Sequence, residues 1–161
     1  MVFGKCCEKL LAISITVALI LGATIVNASA VEQIGKDKKM VNVSYGIKSE
    51  QCGDLYLPEE ISSATPKLLL LHGGGWRSNQ YLRQTLSDQS MLFCKAGYIV
   101  YNVDYRLAPE AAWPVIGDDC IEAAKKLISC DGIPELSELA NEPISILGVS
   151  AGGHLALMTG L

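Results

Sequence analysis

The sequence predicts an α/β protein, with a largely parallel sheet covered by helices on both faces. Three observations carry this. Short unbroken apolar runs, such as residues 67–71 ("KLLLL") and 98–103 ("YIVYNV"), read as strands buried on both sides. Longer stretches between them place apolar residues at helical spacing. Strand and helix alternate along the chain, as successive strand–helix–strand crossovers require.

The elements follow in order. Residues 1–30 form a separate object. Lys5 and Lys9 precede an uncharged apolar run, residues 10–26, and Ala28 and Ala30 present small side chains after it. A basic start, an apolar centre and an A-x-A end describe a secretory signal peptide cut after Ala30, favoured over an uncleaved membrane anchor. Membrane contact is expected only if that segment stays attached. Residues 31–40 ("VEQIGKDKKM") read as a polar lead-in. Residues 41–161 carry the domain.

Residues 41–47 alternate apolar and polar, as a half-buried strand does, and Leu55-Tyr56-Leu57 before Pro58 suggests its hairpin partner. Residues 67–71 are the first buried strand. Leu82, Leu86, Leu92 and Phe93 mark a helix closed by Gly97. Residues 98–103 are the next strand, rich in β-branched and aromatic side chains. Ile116, Cys120, Ala124 and Leu127, joined by Ile121 and Ile128, share one face of a second helix. Residues 143–149 form a strand, and a helix starts at Ala151.

Composition bounds the function. The chain has 161 residues, about one domain's worth, and half of them are apolar. A net charge of −4 gives no reason to expect nucleic acid, since a phosphate-binding surface is normally basic. Export would remove Cys6 and Cys7 and leave Cys52, Cys94, Cys120 and Cys130, an even number. Free buried thiols and bridges stay open as alternatives. A Cys120–Cys130 bridge is disfavoured if both lie on one helix, roughly 15 Å apart. No metal-ligand spacing occurs, and neither a metal nor another cofactor is expected. Asn42-Val43-Ser44 fits a glycosylation acceptor.

Two motifs carry chemistry. Gly148-Val149-Ser150-Ala151-Gly152 is G-x-S-x-G between a strand and a helix. Such a turn forces the serine into an unfavourable backbone conformation and exposes its Oγ, and the following helix favours developing negative charge. His72-Gly73-Gly74-Gly75-Trp76 also follows a buried strand. Its glycines leave backbone N–H groups uncovered, free to point at one oxygen. No Gly-Lys-Ser/Thr follows, which argues against a phosphate loop.

"HGGGW", then "DYRLAPEAAWP" (residues 104–114), then "GVSAGGHLA" (residues 148–156) resembles the α/β-hydrolase superfamily. Within it, the chain is similar to hormone-sensitive-lipase-like and carbohydrate-esterase-like carboxylesterases, over about residues 41–161. The resemblance implies an α/β-hydrolase fold with Ser150 as nucleophile. It implies Gly74, Gly75 and Ala151 as oxyanion-hole donors, and a small-molecule or carbohydrate ester as substrate. It also implies an Asp104–Arg106 ion pair that positions its loop. Asp118 and Asp119 match an acidic pair and are read as helix caps.

The departure is informative too. A serine needs a base, and the base an orienting acid, in the order Ser, Asp or Glu, His. Residues 151–161 hold no Asp or Glu, and the two histidines, His72 and His154, belong to the glycine turn and to the helix behind the serine. The expectation is a secreted serine carboxylic-ester hydrolase represented by its N-terminal part, inactive as it stands, with the triad Asp and His and the C-terminal part of the fold missing. The alternatives are a serine peptidase or amidase on the same fold, or a non-catalytic secreted binding protein.

Overall fold

The computed structural model describes residues 37–77 and 82–161. The signal-peptide reading of residues 1–30 lies outside these. Among the described residues, eight regular elements follow one another: β1 (Lys38–Ser44), β2 (Cys52–Leu57), β3 (Lys67–Leu71), α1 (Ser87–Lys95), β4 (Ile99–Val103), α2 (Val115–Ser129), β5 (Ile144–Gly148) and α3 (Ala151–Gly160). Short 3₁₀ turns precede α1 (Arg83–Leu86) and β5 (Pro134–Leu139).

One sheet holds all five strands in the order β1-β2-β4-β3-β5. Its second half is parallel, with Leu69 of β3 opposite Tyr101 of β4 and Ile146 of β5. Its first half is antiparallel: β1 pairs with β2, and β2 with β4. The sheet is therefore mixed, its parallel part formed by β4, β3 and β5 as expected, with an antiparallel hairpin added at one edge. A hairpin connection makes β1 antiparallel to β2, and β2 then joins β4 antiparallel across the sheet.

Period-two alternation sorts the strand side chains onto two faces. Leu69, Leu71, Ile99, Tyr101 and Val103 pack with Cys120, Ala123 and Leu127 of α2 and Leu155 of α3. Leu68, Leu70 and Val100 pack on the other face with Cys94 of α1 and Leu86. This is why β3 reads as unbroken leucine: both its faces are covered. Among the described residues, no helix is long and apolar enough to cross a membrane.

Lys67 opens β3 yet is 1% exposed. Its ammonium donates to the carbonyls of Leu127 (2.9 Å), Ile128 (3.2 Å) and Leu139 (2.8 Å). The last carbonyls of a helix lack partners within it and carry partial negative charge, so the cation caps α2 and ties it to the sheet.

Two expectations change, and the open alternative for the cysteines is resolved. β1 begins at Lys38, three residues into the expected lead-in, because a bulge between Met40 and Val43 interrupts its alternation. Leu92 and Ile121 are 63% and 37% exposed, on the outer sides of α1 and α2. Asn42 sits exposed in that bulge at φ 54°, and its side-chain oxygen accepts from the Arg83 guanidinium (2.6 Å). The four described cysteines are free buried thiols. Burial pushes the thiol of Cys94 up to about 11 and that of Cys120 up to about 12, away from reactive thiolate.

Candidate active site

The chain turns sharply from β5 into α3 at Ser150, whose φ of 54° and ψ of −116° are far from the wells an L-residue prefers. Two close approaches enforce the turn. A Cβ on Gly148 would lie 2.0 Å from the Gly152 carbonyl oxygen. A Cβ on Gly152 would lie 2.2 Å from the Leu71 oxygen and 2.4 Å from that of His72. Glycine alone lets the start of α3 sit on the end of β3. Ser150 itself is exposed. The Gly153 amide donates to its carbonyl (2.9 Å), so the residue is fixed although its side chain is not.

The glycine turn after β3 lies against this serine. A Cβ on Gly73 would be 3.0 Å from the Val149 oxygen and 3.4 Å from the Ser150 Cβ. Three successive carbonyls of the turn are held. The Tyr105 hydroxyl donates to His72 O (2.7 Å), His72 Nδ1 to Gly73 O (2.6 Å), and the Arg77 amide to Gly74 O (3.2 Å). In a planar trans peptide, the C=O and the next N–H point in opposite directions. Each anchored carbonyl therefore turns the amide of Gly73, Gly74 or Gly75 away from its anchor. Among the described residues, no backbone carbonyl accepts from the amides of Gly74, Gly75 or Ala151.

His72 is fully buried and stacks on Tyr105, with ring centroids 4.2 Å apart. A carbonyl can only accept, so Nδ1 carries the proton. Burial holds the imidazole pKa below its ordinary value, favouring the neutral ring, although the Gly73 hydrogen bond and Asp104 pull the other way. His154 is exposed on α3, its ring edge-on to Trp76 (5.4 Å) and Trp113 (6.2 Å). A cavity of about 410 Å³ opens there, beside the two turns.

Two ion-pair systems support the turns, and their partners differ from expectation. Asp104 pairs with Arg83, accepting from both its amide and its guanidinium, and Asp54 joins the same guanidinium (3.2 Å). Arg106 instead grips Asp119 through Nε (2.8 Å) and Nη2 (2.6 Å). Asp104 meets the 3₁₀ turn through Arg83, while Arg106 reaches α2 through Asp119. The capping reading of Asp118 and Asp119 fails with it. Residue Pro114 precedes α2 with no side-chain cap, Asp118 is exposed, and Asp119 is buried on Arg106 and Gln51. Sequence reasoning missed Arg83 and Tyr105, since no local pattern shows which element a buried side chain will meet.

Comparison with known proteins bears on the family and the fold. The family model BD-FAE matches residues 53–161. Versiconal hemiacetal acetate esterase stcI of Emericella nidulans is 30% identical over 108 residues, covering 66% of this chain and 34% of that protein. A truncated form of a carbohydrate esterase from gut microbiota superposes with a TM-score of 0.59 at 27% identity, over 74% of this chain and 41% of that one. Esterase B from Lactobacillus rhamnosis superposes with a TM-score of 0.65 at 22% identity, over 81% of this chain and 43% of that one, a likeness of fold. The chain spans about a third of the length, or less, of the curated relatives it matches.

Proposed function

The chain belongs to the BD-FAE family, within the α/β-hydrolase fold, and from that premise we propose that it is the N-terminal part of a secreted serine hydrolase of carboxylic esters. The observation that carries the reading is the contact between the two turns. An exposed serine in a positive-φ turn lies against a glycine turn whose carbonyls are anchored so that its amides face away.

In this reading Ser150 Oγ attacks the ester carbonyl carbon as its proton passes to a base. The carbonyl electron pair moves onto oxygen, where the amides of Gly74, Gly75 and Ala151 receive it. Collapse of the tetrahedral species expels the alcohol, protonated by the same base, and water then releases the acid from the acyl-serine. The base is neither described histidine. His72 is sealed behind its turn and His154 is engaged with two indoles. The outer edge of β5, half-exposed where the other parallel strands are buried, is read as the place where further strands of the domain pair.

The test is a fluorophosphonate ester applied to the full-length product recovered from the medium. The expected result is one phosphonyl group on Ser150, loss of ester turnover in step with labelling, and an N-terminus at Val31. Undiminished turnover with Ser150 unlabelled would overturn the nucleophile, and retention of residues 1–30 would overturn the export step.

His72 acts through the turn, not on the substrate. His72→Leu removes the anchor on Gly73 O and is expected to lower kcat about tenfold or more with KM little changed. His72→Asn, which can still donate to that carbonyl, should recover part of the loss. Equal losses in both would show that the ring, not its hydrogen bond, is what matters.

A further inference from the structure

Asn42-Val43-Ser44 is an acceptor triplet for N-linked sugar, and its middle residue is not proline. The other Asn-x-Ser triplet, Asn27-Ala28-Ser29, would leave with residues 1–30. The structure gives residue 42 a setting that the pattern alone cannot. β1 is the outer strand of the sheet and, among the described residues, pairs only with β2. Asn42 lies in its bulge, where the ladder breaks between Met40 and Val43, and both Asn42 and Ser44 are exposed. Its φ of 54° is one that asparagine tolerates better than most side chains.

The side chain is aimed. A guanidinium only donates, so the atom that faces Arg83, at 2.6 Å, is Oδ1. The backbone amide of Asn42 donates to Oδ1 of the buried Asp54 (3.3 Å). Both groups are spent on the charged cluster beneath the bulge. Nδ2 is left, on the other branch of the planar amide, with no partner among the described residues. An N-glycan replaces one Nδ2 hydrogen and keeps Oδ1, so the bond to Arg83 survives the modification. Next to it Val41 is 62% exposed, an apolar β-branched residue on an open strand edge, and such edges template association. We infer that Asn42 carries an N-linked oligosaccharide that covers the free edge of β1. The donor is an oligosaccharide linked to a polyprenyl diphosphate. Nδ2 bonds to the sugar C1, the C1–O bond to the diphosphate breaks, the polyprenyl diphosphate leaves with the electron pair, and Nδ2 gives up one proton. The inference rests on the export step of the proposed function and not on its ester chemistry.

The test treats the full-length product from the medium with peptide N-glycosidase in heavy-oxygen water, which turns a glycosylated asparagine into an aspartate that carries the label. The expected result is label at position 42 in a chain whose N-terminus is Val31. Ser44→Ala leaves Asn42 and its bond to Arg83 in place, and should abolish the label without changing ester turnover. Ser44→Thr should keep it. In light scattering, the Ser44→Ala chain is expected to self-associate at about tenfold lower concentration than the parent. Unlabelled Asn42 in a chain that begins at Val31 overturns the glycan and leaves the export step standing. Unlabelled Asn42 in a chain that keeps residues 1–30 overturns both. Label at position 42 with equal self-association of parent and Ser44→Ala overturns the covering of the edge.

Discussion

Alanine and glycine at position 150 are expected to end ester turnover alike, by about 10⁴-fold or more, and to separate in stability, the glycine variant being the more stable. The first half follows from the proposed chemistry, since neither side chain can attack. The second half follows from the backbone. Ser150 holds φ 54° and ψ −116°, a conformation that costs a residue with a Cβ about 1–3 kcal/mol. Alanine keeps that cost and glycine sheds it. In ordinary extended or helical backbone, glycine is worse than alanine by about 0.5–1 kcal/mol because it frees the unfolded chain. Here the sign should invert, to a net of about 1 kcal/mol in favour of glycine, read as a higher denaturation midpoint with unchanged slope. Alanine as the more stable variant would mean that the turn carries no strain worth relieving. The exposed position of Ser150 keeps packing out of the comparison. Stability given up at the residue proposed as the nucleophile is what a functional site predicts, and a structural turn has no reason to keep.

The serine turn was legible because its causes are local. Glycines at 148 and 152 are dictated by approaches of backbone to backbone within a few residues and onto the neighbouring strand, so the pattern itself carries the geometry. The strand Lys67–Leu71 was legible to the residue because both faces of it are covered, which leaves no polar position to blur the run. Legibility fell where partners are distant. Arg83 meets Asp104 across 21 positions and Asp54 across 29, and a charged residue's partner depends on which elements pack together. The antiparallel join of β2 to β4 is of the same kind: each strand's pattern is visible, their mutual direction is not. The cavity between Trp76, Trp113 and His154 draws on three separate segments, and no window of the sequence contains it.

Loss of the Arg106 side chain should cost about 3 kcal/mol near neutral pH, and most of that cost should vanish in acid. Asp119 is fully buried and accepts from the Arg106 amide (3.0 Å), Nε and Nη2, and from Gln51 Nε2 (2.8 Å). Burial alone would raise its pKa. The Arg106 hydrogen bonds and the Gln51 amide outweigh burial and hold the carboxyl below the ordinary carboxylate range. With the folded pKa depressed, the unfolded chain binds the proton more readily. The stabilisation is then complete above the ordinary value of about 3.9 and is lost as pH falls toward the folded value. Arg106→Ala leaves that carboxylate buried with only the amides of Arg106 and Gln51, so its pKa rises and neutral pH becomes the costly condition. Once Asp119 is protonated, the missing cation matters little, and the stability curves of parent and variant should converge. Denaturant titrations from pH 7 down into the acid range read this directly, and a gap that stays constant would mean that Arg106 contributes packing rather than charge. The same pair bears on the site. Arg106 follows Tyr105, whose hydroxyl anchors the His72 carbonyl and whose ring stacks on His72, so a loosened Arg106 frees the anchor of the Gly73 amide and the support of the imidazole that holds Gly73 O. Turnover in Arg106→Ala should therefore fall at pH 7 through kcat, in a folded protein far from its melting point, by less than in His72→Leu, because the anchor it disturbs turns the Gly73 amide, which is not one of the proposed donors.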